Sequence, residues 1–152
     1  MIFLIGMMGA GKSTIGQLLS KKTGLSFIDL DNEIVKIEEL SLNKVFTLKG
    51  EKYFREIEAK TLKTVKSSIC SCGGGIILKQ NNVDFIKDHG ISIFLNAEIK
   101  ELSKRLVNSK DRPILKNKIK RVELEKIWRQ RKESYIKSAD LILETEGKSK
   151  EL

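Results

Sequence analysis

Apolar residues return along this chain with two different periods. Short runs that are apolar nearly throughout, such as Ile2–Ile5, Ile91–Leu95 and Leu141–Leu143, alternate with longer stretches where apolar residues recur every three or four positions. The first kind predicts strands buried on both faces, and the second predicts helices packed against them. After the first strand, Lys12 to Lys22 reads as a helix with Ile15, Leu18 and Leu19 on one face and Gly24 as its stop. Leu25–Asp29 is a second strand, and Asp31 opens and caps the next helix, with Glu33 in its first turn. Ser41 to Leu48 predicts a short helix ended by Gly50. From Glu51 to Lys66, Phe54, Ile57, Thr61, Leu62 and Val65 keep helical spacing. Ser68–Cys72 is a buried strand that runs into three glycines. Val83–His89 is a helix stopped by Gly90, and Asn96 is placed to cap a helix running to Val107. Asn108–Lys120 is polar, charged and holds the only proline, so a mobile loop is expected there before a helix over Arg121–Lys137.

Strands alternating with helices predict an α/β fold with a parallel sheet, in one domain spanning residues 1–152 without repeats or linkers. Ligands of such sheets sit at the carboxyl ends of the strands. Those ends carry Gly6–Ser13, Asp29 with Asp31, and Gly73–Gly75, so three polar or glycine-rich clusters converge on one cleft.

Composition, at 40% hydrophobic and 32% charged, excludes a disordered chain. No apolar run approaches the roughly 18 residues of a membrane span, and the apolar N-terminus lacks the basic flank of a secretion signal. Cys70 and Cys72 are alternate residues of one strand, poorly placed to bridge, so a cytoplasmic location is expected. The net charge of +9 raises nucleic acid as a partner, but the basic residues are scattered and only nine aromatics are available for stacking. Of 29 basic residues six are arginines, at 55, 105, 112, 121, 129 and 131. In a chain that otherwise uses lysine, these are candidates for planar, bidentate oxyanion contacts.

The first strand feeds Gly6-Met-Met-Gly-Ala-Gly-Lys12-Ser13-Thr14, the G-x-x-x-x-G-K-[ST] pattern in its strand-to-helix context. Glycines let successive N–H groups turn inward around a phosphate, and the helix dipole adds positive potential. The loop Gly9, Ala10, Gly11, Lys12, Ser13 and Thr14 therefore predicts triphosphate binding, with Lys12 on the β- and γ-phosphates and Ser13 on Mg²⁺. Asp29 and Asp31, two apart, put both carboxylates toward the same region. One can hold Mg²⁺ through water and the other can take a hydroxyl proton. Arg55 and Glu58 share a helix face, where either a pinned substrate arginine or an ordinary surface pair fits the spacing. Gly73, Gly74 and Gly75 permit close backbone approach to a ligand. Arg112, in the charged loop, could swing over a transferring phosphoryl group. His89, at a helix end, reads as a dipole partner.

Taken in order, these motifs resemble shikimate kinase from Ile2 to Leu143. The phosphate loop is followed by Phe27-Ile-Asp-Leu-Asp31, Gly50-Glu-x-x-Phe54-Arg55-x-x-Glu58, Gly73-Gly-Gly75, Arg112-Pro-x-Leu115 and Arg131-x-x-x-Tyr135 with Ala139-Asp140. The resemblance implies a three-layer P-loop fold, with a five-stranded parallel sheet in the order 2-3-1-4-5. A short lid at 108–120 and substrate-binding helices within 31–66 go with it. It implies transfer from MgATP to the 3-hydroxyl of shikimate by a cytoplasmic monomer, with no nucleic-acid or membrane partner. Asp31 would be the base, with Asp29 and Asp31 near Mg²⁺ through water. Arg55 and Arg131 would clamp the shikimate carboxylate, and the triple glycine, through the Gly74 N–H, would contact the substrate beside Phe46 and Phe54. Arg112 would be the lid arginine, Arg105 the adenine-stacking one, and Lys148 the adenine-loop base. The chain departs from the family pattern at Cys72, usually threonine, and at Glu133-Ser134, usually proline and leucine. A gluconate-type kinase shares the phosphate loop without needing both Arg55 and Arg131. A nucleic-acid-associated ATPase would need a basic, aromatic stripe.

Overall fold

The computed structural model of the chain describes residues 1–107 and 121–145. Five parallel strands, β1 (Ile2–Ile5), β2 (Phe27–Asp29), β3 (Ile69–Ser71), β4 (Ile91–Asn96) and β5 (Leu141–Glu144), form one sheet in the order β2-β3-β1-β4-β5. β1 is central, with Phe3 in register with Cys70 on one side and Ser92 on the other. Among the described residues six α-helices flank the sheet: α1 (Lys12–Thr23), α2 (Leu30–Glu38), α3 (Leu42–Thr64), α4 (Gln80–His89), α5 (Ile99–Val107) and α6 (Arg121–Ser138). Successive strand residues face opposite sides, and β4 shows the layers this makes. Phe94 stacks on Tyr135 and Trp128 of α6, while Ile93 and Leu95 line a groove with Ile15, Leu18 and Leu19 of α1.

One large core fills the space between the sheet and its helices, with Phe3, Ile5, Ile76, Phe94 and Tyr135 sealed from solvent. A second, small cluster of Ile34, Val45 and Phe54 lies between α2 and α3, edged by Phe46, Tyr53 and Ile57. Helix α3 is broken at Gly50, whose φ of 82° and ψ of 167° are non-helical, so the two helices expected around this glycine meet at a kink. Glycine takes a positive φ without the strain a Cβ would bring.

Two capping expectations are corrected. Asp29, not Asp31, caps α2: its extended backbone (φ −107°, ψ 118°) ends β2, and its side chain accepts from the Asn32 N–H. Asp31 is the second residue of α2, within its first turn, and its carboxylate lies beside Gly73. Asn96 does not cap α5, because β4 runs through it and its amide donates to the Glu144 carboxylate at 2.9 and 3.0 Å. A 3₁₀ turn at Ile76–Leu78 follows the triple glycine.

Candidate functional site

The donor side is built by the turn between β1 and α1. Gly6 takes a φ of 144° under the Leu95 carbonyl, where a Cβ would stand only 2.7 Å from that oxygen. Lys12 is almost wholly buried, and its Nζ donates to the carbonyls of Gly6 and Met7 at 2.9 and 3.0 Å. Its charge is thus held over the mouth of the loop. Ser13 Oγ donates to Asp29 Oδ2 and lies 3.4 Å from Ser71 Oγ, which gathers hard oxygens at the start of α1. Ala10 is buried beneath the turn, and Thr14 follows Ser13 on an exposed part of α1. Arg105 stands at the rim, with Nε on Glu101 at 3.0 Å and Nη1 3.4 Å from the Gly9 carbonyl.

The acceptor side forms where α2, α3, α6 and the triple glycine meet. A Cβ at Gly73 would stand 2.5 Å from Glu58 Oε1 and 3.1 Å from Asp31 Oδ1, so two carboxylates flank this one backbone position. A Cβ at Gly75 would fall 2.3 Å from Arg55 Nη1. The guanidinium can lie there only because the residue is glycine. Arg55 Nη1 donates to Glu58 Oε2 at 2.8 Å, and its guanidinium stands 5.2 Å from the Phe54 ring, which stacks on Phe46 at 4.3 Å. Arg131 Nη1 donates to the Gly74 carbonyl at 3.2 Å, and the Tyr135 hydroxyl donates to the same oxygen. Gly74 in turn approaches Met8 N and Gly6 O, so this turn joins the two halves of the cleft.

The electrostatics mark this acceptor side. Glu58 is fully buried, and burial pushes its carboxyl above the usual range. The Asp31 charge adds to that, and Arg55 and Arg131 hold it back. Arg55 Nε and Glu58 Oε1 are buried without a hydrogen-bond partner among the described residues. Buried polar groups are ordinarily paired, so these two orphans mark a polar, incompletely satisfied cluster of the kind found at functional sites. Burial pushes Tyr135 up to about 12, which keeps its hydroxyl a donor. The Cys72 thiol is pushed up by its contact with Cys70, at a sulfur separation of 4.0 Å, and by burial. Both cysteines are free and buried, and pack as small core residues.

The raised Glu58 carboxyl gives a pH signature. Its folded form holds a proton that the unfolded chain releases, so the contribution to stability is present below the ordinary carboxyl range and is lost as pH rises through the raised value. In melting curves taken from pH 4 upward, Glu58→Gln should flatten that decline. A variant with the wild-type pH profile would refute the assignment.

The structure places Gly9–Thr14, Asp29 and Arg105 around the β1–α1 turn, and Asp31, Phe46, Phe54, Arg55 and Arg131 around Gly73–Gly75 or against its neighbours. Arg112, the loop over 108–120 and Lys148 lie outside the described residues. Arg121 pairs with Glu125 on the surface, and Arg129 is exposed. Sequence reasoning missed Ser71, whose only signal was its position in a strand beside β1. It also missed the grip of Tyr135 on Gly74, although the tyrosine stands in the Arg131 motif.

A family model for shikimate kinase matches residues 8–152. The shikimate kinase of Persephonella marina is 37% identical over 151 residues, covering 97% of this chain and 90% of that protein. The one from Rippkaea orientalis is 40% identical over 145 residues, covering 93% and 76%. Among solved structures, shikimate kinase from Acinetobacter baumannii in complex with shikimate superposes with a TM-score of 0.92 at 30% identity, over 98% of this chain and 85% of that one.

Proposed function

The chain belongs to the shikimate kinase family, and we propose how its residues divide the work of moving the γ-phosphoryl group of ATP to the 3-hydroxyl of shikimate. Gly9–Thr14 wraps the phosphates with backbone N–H groups, and Lys12 places its charge where negative charge builds between donor and acceptor. Arg105 stacks on the adenine. Arg55 and Arg131 clamp the shikimate carboxylate. Phe46 and Phe54 cover an apolar face of the ring, and the Gly74 N–H donates to the substrate. Asp31 accepts the hydroxyl proton as the oxygen bonds to phosphorus and the bridge to ADP breaks. Arg112, from a lid over 108–120, closes over the phosphates.

Mg²⁺ fits Ser13 and Asp29. A hydroxyl and a carboxylate already in contact beside the phosphate loop are hard donors. Among the described residues no group of three or more histidine, cysteine or acidic side chains is placed to hold a metal ion. Ser13, with Asp29 and Asp31 through water, would hold the ion, which would supply neutralising charge to the phosphates. The protein works as one domain over 1–152, with substrate helices within 31–66. It acts as a cytoplasmic monomer on small molecules alone. No helix among the described residues is long and apolar enough to cross a membrane.

The observation that carries the acceptor assignment is the buried pair of orphans, Arg55 Nε and Glu58 Oε1, beside Asp31. It suits a ligand bearing both a carboxylate and a hydroxyl. A coupled assay tests it. ADP release should require shikimate and Mg²⁺, and gluconate or a nucleoside monophosphate should not replace shikimate. Equal turnover without shikimate would refute the reading.

A further inference from the structure

The kink in α3 raises a mechanical question. Val45 and Phe46 lie before Gly50, while Phe54, Arg55 and Glu58 lie after it, so the angle at the kink sets the distance between the aromatic wall and the carboxylate clamp. Gly50 does not hold that angle itself. A Cβ there would meet nothing within 4 Å, and the residue is in a region of backbone space that only glycine visits freely. No side chain packs against Gly50 itself, so the angle is set by contacts between the two arms and α2: the small cluster of Ile34, Val45 and Phe54 on one side, and a polar tie at the joint.

Three side chains converge on this joint. Glu38, the last residue of α2, receives Lys49 Nζ on Oε2 at 2.5 Å and the Tyr53 hydroxyl on Oε1 at 2.8 Å. Lys49 Nζ is also 3.4 Å from the Tyr53 hydroxyl and 4.6 Å above the centre of its ring. Lys49 immediately precedes the kink and Tyr53 occupies the first turn beyond it. One carboxylate therefore ties both arms of α3 to the end of α2, the helix that begins beside Asp31. The Glu38 side chain is 4% exposed although Lys49 is 39% exposed, so the anchor is shielded while the cation reaches it from solvent. Lysine holds the Glu38 carboxyl below the usual carboxylate range, and Glu38 raises Lys49 in return, so both charges persist at neutral pH.

We propose that Glu38, Lys49 and Tyr53 are positioning residues, a clasp that sets the angle at Gly50 and thereby the fit of the acceptor pocket for shikimate. The inference rests on the reading that Phe46, Phe54 and Arg55 enclose shikimate. None of the three touches the reacting groups. Their influence runs through the placement of Phe46 against Phe54 and Arg55, and the phosphate loop lies on a different part of the fold. Disturbing the clasp thus separates the two substrates, where general destabilisation would not.

The test is steady-state kinetics with each substrate varied in turn. Glu38→Gln keeps an acceptor for Tyr53 and removes the charge, and Lys49→Met removes the cation. Each should raise the shikimate KM about fivefold, the factor that one ion pair of this kind commands, with kcat and the ATP KM unchanged within about twofold. The double variant should be no worse than either single one, because each breaks the same tie. Lys49→Arg should restore the shikimate KM, which keeps the question answerable should Glu38→Gln fold poorly. Wild-type shikimate KM in both single variants, or an ATP KM that rises in parallel, would overturn the clasp while leaving the acceptor assignment standing. Wild-type protein indifferent to shikimate would overturn both.

Discussion

Asp31→Asn should lower kcat by a factor on the order of 10² to 10³ and leave the shikimate KM nearly unchanged. The substitution is isosteric, so the amide still fits beside Gly73, where a Cβ would stand 3.1 Å from Asp31 Oδ1. It also leaves the cap of α2 intact, because the cap belongs to Asp29. Only the capacity to accept a proton disappears, and that capacity matters as the hydroxyl oxygen bonds to phosphorus. The loss therefore belongs to the transition state and appears in kcat. Initial rates at saturating ATP across a range of shikimate concentrations would decide it. A kcat within twofold of wild type would remove Asp31 from the role of base.

Arg131→Ala should do the reverse, raising the shikimate KM by about thirtyfold or more while sparing kcat. Removing one member of a shielded charge pair costs about 2 kcal/mol or more, and leaves the substrate carboxylate held by Arg55 alone. The effect is readable because Tyr135 keeps its own hydrogen bond to the Gly74 carbonyl, so the triple-glycine turn stays anchored after the arginine is gone. The same titration that reads Asp31→Asn reads this variant. If both changes moved kcat and KM alike, the division between chemistry and clamping would be wrong.

What could be read from the residues depended on how far apart the interacting ones lie. The phosphate loop is local, with eight residues and a fixed spacing, and its chemistry was legible before any fold. The alternation of strands and helices was legible for the same reason, whereas the strand order came with the family resemblance. Caps were misassigned where two offsets fit equally well. Asp29 and Asp31 both stand ahead of the apolar face of α2, and only the bend of the backbone at Asp29 decides between them. Asn96 looked like a cap because nothing nearby announced that Glu144, 48 residues away, would draw it into the strand. Glu58 was ambiguous on spacing alone, since a helix repeat does not say which face is buried beneath the triple glycine. The tie from Glu38 to Lys49 and Tyr53, over 11 and 15 residues, has no sequence period at all.

The two hydrophobic clusters differ greatly in size. One holds the sheet and its helices together, and the other consists of Ile34, Val45 and Phe54 with a few neighbours. Opening the smaller one exposes far less apolar surface than unfolding the whole, and a unit of that kind opens at correspondingly lower free energy. The cleft is therefore assembled from a durable half and a delicate half. Phosphate-binding geometry is inherited from the central strand and endures as long as the sheet does. The surface that chooses the alcohol is renewed each time the small cluster closes. If shikimate is held against Phe46 and Phe54 as proposed, its binding should stabilise this smaller cluster more than the sheet.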